Sequence, residues 1–208
     1  MNGQRGVRQP ECLAGVVLAG GQSRRLGRDK TRLCLHGESS LDMLNRTCSL
    51  LDAVVDEVWI SCRTRPVTAS ERPWFADERP GIGPIGGIAT ALRTLRRAVL
   101  ALSCDLPFMD ETVLAALVDQ WRSRSAGTVM TTFVDGESGR IEPLVAIYDC
   151  AALPLFDQAI HEEQFRLGAV VPLSAQLRVP YPAAGARAFF NVNTPAELEQ
   201  VRRMGDRP

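Results

Sequence analysis

The stretch Leu13-Ala14-Gly15-Val16-Val17-Leu18-Ala19-Gly20-Gly21-Gln22-Ser23-Arg24-Arg25-Leu26-Gly27-Arg28-Asp29-Lys30 changes character at its middle. Leu13 to Leu18 is a short apolar run that stops at Gly20-Gly21, as a buried parallel strand would. Two glycines at the carboxyl end of a strand let the backbone come close to a ligand and turn amides toward phosphate oxygens. Arg24, Arg25 and Lys30 follow in a polar loop and add charge where a triphosphate would lie. The spacing is not that of a P-loop, because no Gly-Lys-Ser/Thr follows the first glycine. The plainer alternative is a glycine-rich turn beside a solvated basic patch.

Strand and helix patterns alternate outward from this stretch. Leu41, Leu44, Cys48 and Leu51 fall at helical spacing, with Ser39 or Ser40 placed to cap the helix. Val54–Ser61 reads as the next strand. Arg63 to Gly87 holds four prolines and four glycines and reads mostly as loop. From Ile85, a stripe of Ile88, Leu92 and Leu95 predicts a helix ending in Arg96-Arg97, favourable charges for a C-terminus.

Val99–Ser103 is a further buried strand, and Asp110 can cap the helix that carries Val113, Leu114, Leu117, Val118 and Trp121. Thr128–Phe133 and Pro143–Tyr148 read as strands around a turn at Asp135-Gly136. A helical region follows, broken near Pro154, Gly168 and Pro172, and then a last strand at Phe189–Val192. Thr194-Pro195-Ala196-Glu197 predicts a final helix, with Thr as N-cap, Pro at the first position and Glu closing a capping box. The alternation implies an α/β fold, a Rossmann-like three-layer sandwich with a mainly parallel sheet.

The 208 residues fit one domain, 1–208, with 1–12 expected as a flexible N-terminal extension. Lys plus Arg and Asp plus Glu are 24 each, a net charge of zero that argues against a nucleic-acid partner. The six cysteines make no CxxC pair and the two histidines, His36 and His161, lack partners in sequence, so no zinc or iron–sulfur site is expected. Buried, reduced cysteines fit a core-rich chain better than a disulfide framework. With no signal segment and no apolar run of about 18 residues, the chain reads as cytoplasmic, with no membrane partner. Trp59, Trp74 and Trp121 read as packing residues.

Three further motifs bear on chemistry. Gly81-Ile82-Gly83-Pro84-Ile85-Gly86 formally matches GxGxxG, but polar Asp77-Glu78-Arg79-Pro80 precedes it and Pro84 sits inside the turn. It is therefore no dinucleotide fingerprint, and either walls a pocket or merely opens a helix. Ser103-Cys104-Asp105-Leu106-Pro107 puts a carboxylate at the carboxyl end of a central strand, where such sheets bind ligands. Since Mg²⁺ takes one or two carboxylates plus phosphate oxygens, Asp105 can serve it alone; a turn cap is the alternative. Asn191-Val192-Asn193-Thr194 puts two amides on one side of a strand, to meet a polar ligand or to close a turn.

Taken together, LAGGQSRRLGRDK, GPIGGI, CDLPF, EPLVAIY and FNVNTPAEL resemble, in order from Val16 to Leu198, the molybdenum cofactor guanylyltransferases. The pairing of LAGG with NVNTPAEL is more specific than the first motif, which marks the broader nucleotidyltransferase superfamily. The resemblance implies transfer of GMP from GTP, with Mg²⁺, to the terminal phosphate of molybdenum-molybdopterin, releasing pyrophosphate. It implies that Leu18, Ala19, Gly20, Gly21, Lys30 and Asp77 bind GTP, and that Asp105 binds both GTP and the metal. Arg25, Asn191 and Asn193 would face the molybdopterin, and Lys30, Asp105 and Arg24 would be the catalytic set. Molybdoenzymes or their chaperones would receive the product.

The sequence departs from that pattern at three places. GPIGG stands for a GPLAG-type turn, Ser61-Cys62-Arg63 occupies the segment of an expected nucleotide-contacting asparagine, and Gln158–Arg187 matches only loosely. Related cytidylyltransferases tend to read LAAG, so Gly20 points to guanine. The competing readings are a cytidylyltransferase or other NTP transferase, a sugar-1-phosphate nucleotidylyltransferase, and a non-catalytic molybdopterin-binding delivery protein.

Overall fold

The computed structural model describes residues 12–20, 30–34, 41–69 and 71–205. In chain order the elements are β1 (Leu13–Leu18), α1 (Met43–Asp52), β2 (Glu57–Ser61), β3 (Trp74–Phe75), α2 (Pro84–Leu95) and β4 (Ala98–Ser103). They continue as α3 (Glu111–Arg122), β5 (Met130–Asp135), β6 (Ile141–Tyr148), α4 (Leu153–His161), β7 (Gln176–Tyr181) and α5 (Pro195–Gly205). The strands form one seven-stranded sheet in the order β3-β2-β1-β4-β6-β5-β7. Within it only β6 runs against the rest.

Alternation along β1 makes the sheet the middle of three layers. Leu13 and Val17 join Leu44, Cys48 and Leu51 of α1 and Leu114, Leu117 and Trp121 of α3 in one core. Ala14 and Val16 join Ile85, Ile88 and Leu92 of α2 and Phe156 of α4 in the other. A smaller cluster of Leu33, Met43, Val192, Leu198 and Val201 holds α5 against the start of α1. The expected three-layer α/β sandwich is the fold found.

Several local expectations are corrected. α1 is capped by Asp42, whose carboxylate accepts the Asn45 N–H at 2.8 Å. Ser39 and Ser40 lie outside the described residues, and Leu41 precedes the helix and is exposed rather than part of its stripe. The strand expected at Val54 starts only at Glu57, because the N–H groups of Val54 and Val55 both turn back to the Leu51 carbonyl. α2 stops one residue before the expected arginine pair, with Arg96 in the left-handed region as its C-cap.

Pro154 opens α4 instead of breaking a helix, since the first turn needs no proline N–H. β7, where no strand was expected, pairs in parallel with β5 at the sheet edge, where Pro180 is tolerated. The strand expected at Phe189–Val192 does not form. Phe189 instead ends a 3-10 segment and stacks on Tyr181 with 4.2 Å between ring centres.

Other expectations stand. Asp110 caps α3 through the Val113 N–H at 2.9 Å. At α5 the Glu197 carboxylate accepts from the N–H groups of Asn193 and Thr194 at 2.7 and 2.8 Å. The Thr194 hydroxyl in turn accepts the Glu197 N–H at 3.2 Å. All six cysteines are free as expected, but only Cys48, Cys62 and Cys104 are buried, Cys34 and Cys150 being half-buried and Cys12 exposed; burial pushes the Cys48 and Cys62 thiols up to about 11. Trp121 is buried in the core and Trp59 packs against Phe75. Among the described residues no helix is long and apolar enough to cross a membrane.

Candidate functional site

The parallel strands β2, β1 and β4 end side by side at Ser61, Leu18 and Ser103, which are register partners across the sheet. In such a sheet the crevice beyond the carboxyl ends is where ligands bind. The chain leaving β1 is held to its neighbour by the Ala19 N–H, which donates to the Ser61 carbonyl at 2.9 Å. Leu18, Ala19 and Gly20 are thus fixed at the rim, each half-buried. Gly21, Arg24, Arg25 and His36 lie outside the described residues; Lys30 begins a 3-10 turn, Lys30–Arg32, but its side chain also lies outside them.

Asp77 follows β3 and comes back over the end of β2. The Ser61 hydroxyl donates to its Oδ1 at 2.7 Å. Burial raises the Asp77 carboxyl above the usual carboxylate range, opposed by the Ser61 hydrogen bond and the nearby Arg63 charge. A methyl group added to Gly20 would come 3.9 Å from Asp77 Oδ2, an ordinary contact. The glycine loop and the carboxylate therefore face one another with space between them.

The second glycine cluster resolves into both of its readings. Gly83, with φ of +83°, is the N-cap of α2 and Pro84 its first residue, so the segment is a helix-opening turn. It also walls the crevice. A Cβ on Gly87 would lie 2.6 Å from Ser61 Oγ, 3.2 Å from Asp77 Oδ1 and 3.3 Å from Leu18 Cδ2, so only glycine fits without displacement. A Cβ on Gly86 would meet the Arg79 carbonyl at 2.9 Å, which gives GPIGG a local steric reason where a GPLAG-type turn carries alanine.

Asp105, half-buried, sits beyond the end of β4, and its Oδ1 accepts from the Ser103 hydroxyl at 2.6 Å. Its backbone carbonyl accepts the Val192 N–H at 2.9 Å, which brings Asn191 and Asn193 to either side of the aspartate. The Asn191 side chain donates to the Phe189 carbonyl at 3.2 Å. Contrary to expectation, these asparagines do not alternate along a strand; the Val192–Asp105 hydrogen bond and the α5 cap place them.

The turn after Asp105 is braced from two directions. Arg46 of α1 donates to the Met109 carbonyl at 2.6 Å, and the Arg187 guanidinium lies 4.2 Å from the Phe108 ring centre. Burial lowers the Arg46 pKa, with Asp110 opposing the shift.

Among the described residues no cluster of three or more His, Cys, Asp or Glu could hold a metal ion. A hard cation that brings phosphate oxygens and water needs only one or two carboxylates. Asp105 offers such an oxygen donor. His161 merely ends α4.

The structure brings Leu18, Ala19, Gly20, Asp77, Asp105, Asn191 and Asn193 to one rim of the sheet. Sequence reasoning gave no role to Ser61, Ser103 and Gly87. The available signal was a polar residue closing an apolar strand at both serines.

The MobA-like NTP transferase domain family matches residues 15–172. A molybdenum cofactor guanylyltransferase of Rhizobium meliloti (strain 1021) is 33% identical over 201 residues, covering 89% of this chain and 88% of that protein. A probable molybdenum cofactor guanylyltransferase of Chloroflexus aggregans is 30% identical, covering 91% and 93%. The crystal structure of molybdopterin-guanine dinucleotide biosynthesis protein A from Archaeoglobus fulgidus superposes with a TM-score of 0.73 and 25% identity. The match covers 92% of this chain and 98% of that one.

Proposed function

The chain belongs to the MobA-like NTP transferase domain family and is a nucleotidyltransferase; from that premise we propose that it transfers GMP from GTP to the terminal phosphate of molybdenum-molybdopterin. The observation that carries the reading is the Val192 N–H bond to the Asp105 carbonyl. It joins the end of β4, beside the β1 rim, to the asparagine segment, so that groups for two substrates share one crevice. The relatives named guanylyltransferases support GTP as the nucleotide.

In the proposed reaction an oxygen of the acceptor phosphate attacks the α-phosphorus of GTP in line. The new P–O bond forms as the bond to the β-phosphate bridge breaks, and pyrophosphate leaves. Two anions must meet, so the protein's tasks are alignment and neutralisation. Leu18, Ala19, Gly20 and Gly21 line the nucleotide's side of the crevice, with the Ala19 N–H already held by the Ser61 carbonyl, while Arg24 and Lys30 offset phosphate charge. Asp77 takes the base edge. Arg25, Asn191 and Asn193 orient the acceptor. Mg²⁺, when bound at Asp105, supplies positive charge to the phosphate oxygens. The reaction belongs to the cytoplasm, with molybdoenzymes or their chaperones as receivers of the product.

The test is pyrophosphate release with GTP and with CTP, each with and without the molybdopterin acceptor and with magnesium chelated. Release requiring GTP, acceptor and magnesium is expected; a preference for CTP rejects the nucleotide assignment. Lys30→Ala is expected to lower turnover with an unchanged melting temperature, and an unaffected rate removes Lys30 from the catalytic set.

Gly20→Ala tests the basis of that preference. Among the described residues the added methyl meets Asp77 Oδ2 alone, at 3.9 Å, so the variant should fold normally. Facing the base, the same methyl should lower the GTP-over-CTP ratio of kcat/KM about tenfold or more. An unchanged ratio would show that the base sits elsewhere.

A further inference from the structure

Ser61-Cys62-Arg63 occupies the segment where the resemblance expects a nucleotide-contacting asparagine, and the Ser61 hydroxyl is engaged inside the protein. The residue is 2% exposed, its carbonyl holds the Ala19 N–H, and its Oγ holds Asp77 Oδ1 at 2.7 Å. The absent side chain of Gly87 leaves the room in which this pair sits. Oδ1 of Asp77 lies under the first turn of α2, while Oδ2 is the oxygen that approaches Gly20. One carboxylate oxygen is anchored and the other is delivered to the glycine loop.

We propose that Ser61 is a positioning residue for base selection: it aligns the Asp77 carboxylate to accept from the N1–H and 2-amino groups of guanine. The proposal rests on the reading of GTP as donor and of Asp77 as its base contact. Guanine presents two donors side by side on that edge, and the lone pairs of Oδ2 can accept both while Oδ1 stays with Ser61. Cytosine presents one amino donor beside acceptors at N3 and O2, which a carboxylate repels. Hypoxanthine keeps N1–H but lacks the amino group, so ITP reads out whether the carboxylate is correctly turned.

The protonation state of Asp77 gives a second signature. Arg63 and Cys62 adjoin it from the end of β2, and the neighbouring Glu78 is paired with Arg93 of α2. Burial favours the protonated acid, and the Ser61 hydroxyl and Arg63 favour the carboxylate. Without the hydroxyl, burial is less opposed and Asp77 takes up its proton at higher pH. The protonated acid turns an O–H toward guanine's own donors, so binding weakens there.

The experiment is steady-state pyrophosphate release by the full chain with GTP, ITP and CTP, from about pH 4 to pH 9, a window that takes in the ordinary carboxylate range and the region above it. Ser61→Ala is expected to raise KM for GTP about five- to tenfold with kcat within about twofold, the scale of one misplaced hydrogen-bond acceptor. It should also erase most of the GTP-over-ITP preference and move the acid limb of kcat/KM to higher pH. Asp77→Ala is the reference variant. Unchanged KM, preference and acid limb in Ser61→Ala, beside a raised KM in Asp77→Ala, overturn the positioning role and leave Asp77 as the base contact. If Asp77→Ala itself leaves KM for GTP unchanged, the base-contact reading falls and the positioning role falls with it.

Discussion

Asp105→Ala is expected to lower turnover about 100- to 1,000-fold at saturating GTP and magnesium, the scale on which one preorganised charge-stabilising group acts. The loss should fall on kcat rather than on folding. The Val192 N–H still finds the Asp105 backbone carbonyl, and the Ser103 hydroxyl loses a partner at a half-open rim where water can replace it. Asp105→Asn, which keeps the shape and removes the charge, should lose nearly as much. Raising magnesium should restore part of the Asn variant's rate and little of the Ala variant's. Turnover within a few-fold of the wild type in both variants would reject the assignment of Asp105 to the metal, leaving the family membership intact.

For stability, the largest single effect is expected at Asp149, which follows β6. Its carboxylate accepts Arg124 Nε at 3.0 Å and a terminal guanidinium nitrogen at 2.9 Å, a two-pronged pairing just beyond α3. Trp121 Nε1 donates to the same carboxylate at 3.4 Å, and the guanidinium lies 4.5 Å from the Trp121 ring centre. The side chains of Arg124 and Asp149 are only 9% and 14% exposed, so solvent screens them little.

Asp149→Ala would leave a cation nearly enclosed without its counter-charge, a change that costs about 3–5 kcal/mol. For a chain of this size that corresponds to a fall in melting temperature of roughly 6–20 °C. The surface pair between Arg122 and Asp119, both largely exposed, is the control, and Asp119→Ala should cost under about 1 kcal/mol. Equal effects of the two substitutions would show that the Arg124 pair is no better shielded than the surface one.

What the sequence made legible was local. β1 and β4 are uninterrupted apolar runs, and the caps at Asp110 and at Thr194–Glu197 are written within four residues. Asp105 could be singled out because it directly follows such a run. Elements defined by distant partners were not legible. β7 contains Arg178 and Pro180 and shows no period of its own; its extended form comes from pairing with β5. Phe189–Val192 has the composition of a strand, but Phe133 and Tyr181 gather Phe189 into an aromatic cluster instead. The Ser61–Asp77 bond joins residues 16 apart, across chain that is irregular but for a two-residue strand, so composition gave no hint of it.

The bond between Val192 and Asp105 also orders events in time. Gly20, Asp77 and Asp105 are all translated well before residue 192, and at about 5–20 residues per second the interval lasts several seconds. Throughout it, a growing chain carries the glycine loop and the aspartates without the segment that brings Asn191 and Asn193 beside them. The two halves of the crevice meet only when synthesis has passed α5's cap, so a chain arrested earlier on the ribosome holds half a site.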